Sequence, residues 1–149
     1  MTAVVSHENE LLLNTVQCFL NDEIYPHEDA VDRSGEVPLE LGRQIEARAK
    51  QVGLFAANLP EDVGGGGLNY TSSAIVEREY GKTTHALQSW IARPTELLLA
   101  CEGDQIARYL DPCVTGEKRE LFALTEPEAG SDVMGMKTNA KRDGHDWIL

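Results

Sequence analysis

Apolar residues recur at spacings of three and four along the first part of the chain, as they do on one face of an α-helix. Within residues 6–25 this face is formed by Leu13, Val16, Leu20 and Ile24. Ser6 is a suitable N-cap, because its hydroxyl can accept a hydrogen bond from a free N–H of the first turn. Pro26 is expected to stop the pattern, since proline disrupts a helix interior. The sequence therefore predicts one helix from Ser6 to Tyr25.

A second helix is indicated between Pro38 and Gly53. Pro38 suits the first turn, where no N–H is needed, and Gly53 suits a left-handed residue after the helix end. The apolar stripe of this helix is formed by Leu41, Ile45, Ala49 and Val52. Residues 58–67 end in four glycines and are predicted to form a loop, because such a run costs a regular element too much backbone entropy. A phosphate-binding loop is the alternative, although no Gly-Lys-Ser/Thr sequence follows.

Shorter helices are predicted farther along the chain. One runs from Thr71 to Tyr80. Pro94 divides the apolar stretch 86–101 into two short helices. A last helix covers Asp104–Leu110, and Pro112 follows its end. Five or six helices joined by short connections predict a helical bundle.

The pattern changes in the C-terminal part of the chain. Leu121–Leu124 is a short apolar run that suits a buried strand. Residues 137–142 alternate between the two faces of a strand, Asp143-Gly144 suits a turn, and Trp147–Leu149 begins a returning strand. This order predicts a β-hairpin after the apolar run.

Together these elements predict a mainly α fold with two domains. Residues 1–118 form the bundle of five or six helices, and residues 119–149 form the first strands of a truncated β-barrel-like domain. A hairpin arm that stops after three apolar residues leaves strand edges unpaired and an apolar surface uncovered. We therefore expect most of the β-domain to lie beyond residue 149.

Charge and cysteine content narrow the functional classes. Thirteen Lys and Arg against 25 Asp and Glu give a formal charge of −12, which opposes binding to nucleic acid or to anionic membrane surfaces. Cys18, Cys101 and Cys113 are odd in number and lack paired spacings, so we expect structural thiols in a reducing compartment. The N-terminus resembles no secretory leader, and no apolar run is long enough to span a membrane. A cytoplasmic protein is expected, with a processed organellar protein as the alternative.

Candidate chemistry outside the C-terminal segment is sparse. The histidines show no metal-ligand spacing, so no metal site is predicted; they are His7, His27, His85 and His145. Glu126 and Glu128 could form an acid/base pair, but carboxylates in a turn are usually solvated. We therefore expect neither of these two to be catalytic.

Several segments resemble one known family. Phe122–Asp132 reads Phe-Ala-Leu-Thr-Glu-Pro-Glu-Ala-Gly-Ser-Asp and resembles the junction between the N-terminal helical domain and the middle β-domain of acyl-CoA dehydrogenases. Leu59–Leu68 resembles the family's Pro-Glu…Gly-Gly-x-Gly-Leu loop. Tyr109-Leu110 with Gly116-Glu117 resembles its Tyr-Leu…Gly-Glu pattern, and Lys137–Gly144 matches the hairpin that follows. The likeness covers nearly the whole chain in the family's order.

Two features depart from the family's pattern. The link between Gly103 and Gln105 looks shorter than usual, and Arg93-Pro94 falls in a helical region. Both lie near the place where family members enclose the acyl tail, so the resemblance does not fix the acyl group. Trp90 and Leu97–Leu99 are expected to be core residues, with a lining of the acyl pocket as the alternative.

The resemblance implies a flavoenzyme that uses FAD to remove hydrogens from the α and β carbons of an acyl-CoA thioester. It places backbone groups of Phe122 to Thr125, including Leu124, along the flavin ring and the Thr125 hydroxyl at its polar edge. It implies that Gly130 shapes the turn of the cofactor site and that Ser131 contacts both the cofactor site and the CoA part of the substrate. The family's catalytic base is a Glu of the C-terminal helical domain, so no catalytic residue is assigned in this chain.

The resemblance also implies partners. It predicts a homo-oligomer that passes electrons to an electron-transferring flavoprotein or another acceptor. Two alternatives remain open: a flavoenzyme of the same fold, such as a nitroalkane oxidase or a flavin monooxygenase, and a helical interaction module that no longer binds flavin.

Overall fold

The computed structural model describes residues 6–149. The helices are α1 (His7–Phe19), α2 (Tyr25–Ser34), α3 (Leu39–Gln51), α4 (Tyr70–Tyr80), α5 (His85–Gln88) and α6 (Asp111–Thr115). The strands are β1 (Lys141–Asp143) and β2 (Asp146–Ile148). The chain divides into a helical unit that ends at Arg119 and a C-terminal unit, Glu120–Leu149. The predicted mainly α fold is confirmed. Residues 1–5, on which the expected absence of a leader depends, lie outside the described part.

The first helix begins as predicted but does not end at Pro26. The Ser6 hydroxyl accepts a hydrogen bond from the Asn9 N–H at 3.2 Å, which caps α1. A π-helical turn over Leu20–Ile24 then joins α1 to α2, with Pro26 in the first turn of α2. This turn shifts the hydrogen-bond register, so that proline falls where no N–H donor is needed. The prediction that the helix stops at Pro26 is therefore wrong, and α2 was not predicted.

The same arrangement recurs at the end of the helical unit. A π-helical turn over Ile106–Leu110 leads directly into α6, and Pro112 lies in the first turn of α6. The prediction that Pro112 follows the end of the last helix is therefore wrong, for the same reason as at Pro26. Gly116, with φ of 79°, ends this helix in the left-handed conformation.

The helical unit is held together by one apolar core. Predicted stripe residues Val16 and Ile45 are fully buried, and Gly53 takes the left-handed φ of 74° expected after α3. The core includes Val16, Phe19, Leu20, Ile24, Ile45, Ala49, Leu54, Leu59, Val76, Tyr80, Leu87 and Ile91. Leu97 is 69% exposed, so its expected place in the core is wrong. It lies in a 3₁₀ turn, Glu96–Ala100, of which Leu98 packs against the core.

The C-terminal unit has little regular structure. In β1 and β2, Lys141 pairs with Ile148 and Asp143 with Asp146 in an antiparallel hairpin, as predicted around Gly144. The predicted strand at Leu121–Leu124 is wrong, because this run forms no ladder and Leu121 is 97% exposed. A strand needs a neighbour for its backbone groups, and the described residues provide none there. Within residues 6–149, no helix has the length and apolar character needed to span a membrane.

Candidate functional site

A tight turn lies at the centre of the segment that carries the predicted site residues. The Glu126 N–H donates to the Ala129 carbonyl at 3.0 Å, and the Ala129 N–H donates to the Glu126 carbonyl at 3.2 Å. These two hydrogen bonds enclose Pro127 and Glu128. Proline suits this position because its ring fixes the backbone angle that a turn requires. We call Glu126–Ala129 the Pro127 turn.

The Glu126 carboxylate closes a second, larger loop. One of its oxygens accepts the Lys137 N–H at 2.9 Å, and the other accepts the Thr138 N–H at 3.0 Å. Hydrogen bonding to the Thr138 side chain is the largest cause that lowers the pKa of Glu126, and the backbone N–H groups of Lys137 and Thr138 lower it further. A carboxylate whose two oxygens are occupied and whose pKa is lowered is a poor general base. Glu126 is therefore a structural acceptor here.

The predicted site residues lie on both sides of the Pro127 turn. Thr125 directly precedes it, and Gly130 and Ser131 directly follow it. Thr125 and Gly130 are thus the residues next to the isolated bridge between Glu126 and Ala129. The four predicted site residues that have side chains are all exposed to solvent: Phe122, Leu124, Thr125 and Ser131. We call Phe122–Ser131 the site segment.

Gly130 lies in the bend that directly follows the Pro127 turn. The Pro127 turn is closed before Gly130 is reached, and Gly130 does not have a positive φ. A Cβ atom added to Gly130 would have no heavy atom within 4 Å. Neither a positive φ nor a close neighbour in this chain therefore requires glycine at this position, and the expected part of Gly130 in shaping the turn stays a prediction. Such an open glycine suits a place where another group approaches the backbone closely.

The backbone before the turn has unused hydrogen-bonding groups. Among the backbone hydrogen bonds of the described residues, none involves an N–H or a carbonyl of residues 121–125. Phe122, which is 70% exposed, belongs to the same stretch. Polar backbone groups beside an exposed apolar ring suit a planar ligand that is apolar on its face and polar at its edge, because each part finds a matching partner.

A sequence model of one protein family, described as acyl-CoA dehydrogenase, N-terminal domain, matches residues 6–117. This match covers most of the chain. The chain belongs to the acyl-CoA dehydrogenase family. Its site segment lies shortly after the matched residues and has the sequence that resembles the family's junction.

Individual members of the family resemble the chain over nearly all of its length. It is 35% identical over 151 residues to the mitochondrial long-chain specific acyl-CoA dehydrogenase of Sus scrofa, a match of 98% of this chain and 34% of that enzyme. It is 33% identical over 150 residues to the caffeyl-CoA reductase-Etf complex subunit CarC of Acetobacterium woodii, with coverage of 97% and 38%. A crystal structure of a Bacillus anthracis acyl-CoA dehydrogenase complexed with FAD matches with a TM-score of 0.71 and 29% identity, over 91% of this chain and 23% of that one. The chain thus spans about a third of the length of these curated relatives.

The glycine loop of this acyl-CoA dehydrogenase family member is packed against its own backbone. A Cβ at Gly65 would lie 2.1 Å from the Leu59 carbonyl oxygen, and one at Gly66 would lie 2.9 Å from the Ala57 Cα. The four glycine N–H groups donate to carbonyls of Glu61, Pro60, Ala56 and Leu59 at 2.9, 2.9, 3.2 and 2.8 Å, in chain order. Because these donors are used inside the chain, the phosphate-binding alternative is wrong and the predicted loop is confirmed.

One cluster that sequence reasoning missed lies at the end of the helical unit. The Arg119 guanidinium stacks over the Trp90 ring at 4.1 Å and donates to the Glu46 carboxylate at 2.7 Å. Partial burial raises the pKa of Glu46, but hydrogen bonds from Lys50 and Arg119 outweigh it and lower the pKa overall. We call Glu46, Trp90 and Arg119 the Arg119 cluster. It fixes the chain immediately before the C-terminal unit begins at Glu120.

Proposed function

We propose that this chain is the N-terminal part of a flavin-dependent acyl-CoA dehydrogenase. In the proposed reaction the α-proton of an acyl-CoA thioester leaves to a carboxylate base and a β-hydrogen leaves as hydride, so that the product is an enoyl-CoA. The observation that carries the proposal is the site segment: it has the family's junction sequence, and its backbone groups at residues 122–125 are available to a ligand. Membership of the family and an FAD-bound relative support it further.

The residues present suit FAD. The exposed Phe122 ring and the free backbone groups up to Thr125 match the apolar face and polar edge of a flavin ring. The open space at Gly130 leaves room for a ligand beside the backbone. We assign Phe122, Leu124, Thr125, Gly130 and Ser131 to cofactor binding, and Ser131 also to the CoA part of the substrate.

Each of these residues contributes position or polarity to the reaction. Bound FAD supplies the acceptor for the hydride that leaves the β-carbon. The Thr125 hydroxyl would serve as a hydrogen-bond donor to the polar edge of the ring and would thereby polarise it. Ser131 helps hold the thioester so that its reacting carbons stay against the flavin. Glu126 is held by two backbone N–H groups and is not proposed as the base. As the family resemblance implies, we place the base outside this chain, in a C-terminal helical domain.

The overall charge sets a condition on this site. A formal charge of −12 repels the phosphates of both FAD and CoA. Local positive charge or oriented backbone dipoles must therefore offset the repulsion where the phosphates bind. We also propose a homo-oligomer that passes electrons to an electron-transferring flavoprotein or another acceptor, a link supported by the relative named as a subunit of an Etf complex.

The first test is the visible spectrum of the 149-residue chain after incubation with FAD. We expect weak or no retention, because the proposal places most of the flavin pocket in later domains and a neighbouring subunit. Tight, stoichiometric retention of FAD would contradict a shared site. The complete protein distinguishes the alternative of an interaction module that binds no flavin. Under that alternative the complete protein would be colourless, whereas a flavoenzyme would be yellow.

A second test separates the reaction classes. The complete flavoprotein, mixed anaerobically with acyl-CoA thioesters, should lose its oxidised-flavin absorbance as the substrate is oxidised. Consumption of oxygen with a nitroalkane, without any response to acyl-CoA, would assign a nitroalkane oxidase. Oxygen consumption with incorporation of an oxygen atom into the substrate would assign a monooxygenase.

A further inference from the structure

We propose that Glu126 is the positioning residue of the site segment: its carboxylate fixes the loop that follows the Pro127 turn and so sets the orientation of Thr125 and Ser131. The orientation matters for catalysis only if the segment binds flavin and thioester, so this consequence rests on the proposed function. The loop contacts themselves do not.

The geometry of the carboxylate supports a specific role. Its two oxygens accept from two consecutive backbone N–H groups, those of Lys137 and Thr138, at 2.9 and 3.0 Å. Consecutive amides in an extended chain point in different directions, so a single acceptor atom cannot serve both well. A carboxylate offers two acceptor oxygens, whereas a glutamine amide offers one oxygen and one NH₂ donor. The site therefore requires a carboxylate and not merely a polar side chain.

The backbone of the same residue holds the other end of the loop. Glu126 exchanges two backbone hydrogen bonds with Ala129, while its side chain holds Lys137 and Thr138. One residue thus ties together both ends of the stretch 129–137. Thr125 precedes it directly, and Ser131 lies within the closed stretch. A change in the carboxylate is therefore transmitted to both predicted ligand-contacting side chains.

Glu128 provides an internal comparison. It is two residues away, its side chain is 69% exposed, and its contact is an ion pair with the flexible Lys137 ammonium. Exposed pairs of this kind contribute little, since solvent screens them and both side chains lose entropy. Glu126 is half-buried and binds backbone groups whose positions are fixed by the chain. Glu128 is therefore a matched control of the same residue type in the same turn.

The loop contact should depend on pH in a defined way. The charged groups beside Glu126 are Lys137 and Glu128, which pair with each other. Hydrogen bonding to Thr138 and to the two backbone N–H groups lowers the pKa of Glu126 below its ordinary value of 4.5. The ionised carboxylate and its contacts should therefore persist above pH 4.5 and be lost only as the pH falls through this lowered pKa.

The test is a pH titration of the 149-residue chain by NMR, with E126Q and E128Q as the two variants. In the unmodified chain the amide protons of Lys137 and Thr138 should titrate together, below the ordinary range of Glu. In E126Q this titration should disappear, their hydrogen exchange should accelerate about tenfold, and the resonances of Thr125 and Ser131 should shift. E128Q should leave all of these signals close to their original values.

Two results would overturn the proposal. In the first, E126Q leaves the exchange and the titration of Lys137 and Thr138 unchanged. In the second, these contacts are lost but Thr125 and Ser131 do not move. Because no flavin enters the measurement, failure of the proposed function would appear separately, as a lack of FAD binding by the complete protein while the NMR signals behave as expected.

Discussion

The helical unit and the C-terminal unit differ in the solvent exposure of their large apolar side chains. In the helical unit, Ile45 and Leu87 have no solvent exposure. In the C-terminal unit, Leu121 is 97% exposed and Phe122 is 70% exposed. Burial of apolar surface is the main favourable contribution to folding, so the stability of this chain must come chiefly from the helical unit.

The difference teaches how stability and function are divided. The C-terminal unit is organised by a hairpin of three-residue strands and by polar contacts of Glu126, and a two-stranded hairpin is marginally stable alone. Its exposed segment is also the one that carries the proposed flavin contacts. Changes in the helical unit should therefore alter stability, whereas changes in the site segment should alter ligand binding with little effect on unfolding.

The largest expected difference in the free energy of unfolding is between a Leu→Ala substitution in the helical unit and one in the C-terminal unit. Leu87→Ala removes a fully buried side chain and should lower the free energy of unfolding by about 2–5 kcal/mol, because it leaves a cavity in the core. Leu121→Ala should change it by about 0.5 kcal/mol or less, since that side chain is exposed. Urea unfolding monitored by helical circular dichroism measures both. Equal effects would contradict the division of stability.

A matched pair of glycines gives a smaller effect in the same direction. Gly65→Ala places a Cβ 2.1 Å from the Leu59 carbonyl oxygen and should cost about 1–3 kcal/mol, because backbone must move. Gly130→Ala meets no atom within 4 Å and should leave stability nearly unchanged. In the complete protein, however, Gly130→Ala should weaken FAD binding. Thermal unfolding and a flavin titration distinguish these outcomes, and a destabilised Gly130→Ala variant would argue against an open position.

The buried carboxylate of Glu79 should make the helical unit sensitive to acid. Hydrogen bonding by Lys82 at 2.5 Å is the largest cause that lowers its pKa, to about 2, and Arg78 and Gln17 add to it while burial opposes it. The unfolded chain titrates near 4.5, so the stabilisation is complete above pH 4.5 and is lost as the pH falls toward 2.

Replacement of Glu79 tests this pH dependence. Glu79→Gln should lower the free energy of unfolding at neutral pH by about 1–2 kcal/mol and should flatten its fall between pH 4.5 and 2. Glu128→Gln, at an exposed position of the C-terminal unit, serves as the control and should change neither quantity appreciably. An unaltered pH profile in Glu79→Gln would show that another group governs acid unfolding.

Periodic patterns predicted the parts of the fold that depend on neighbours in sequence. The stripes that include Val16 and Ile45 identified α1 and α3, and the Ser6 cap was found because capping is a local interaction. Pro26 and Pro112 were misread as helix ends because a π-helical turn shifts the register only slightly and leaves no mark on the apolar spacing.

Periodic patterns could not predict features that depend on contacts between residues far apart in the sequence. The Arg119 cluster joins residues 46, 90 and 119, whose separations follow no local rule. The strand predicted at Leu121–Leu124 has the right composition, but strand formation also depends on a partner that composition does not provide. For the site, the sequence indicated the segment through its resemblance, while the acceptor role of Glu126 emerged only from its contacts with Lys137 and Thr138.

The most direct test of the central claim is the rate of flavin reduction by an acyl-CoA in the complete enzyme carrying Thr125→Val. The substitution removes one hydroxyl from the site segment and preserves the size and branching of the side chain. If Thr125 polarises the flavin, reduction should slow about tenfold, as expected for the loss of one hydrogen bond, with the free energy of unfolding unchanged. An unchanged reduction rate would contradict the assignment of Thr125 to the flavin site.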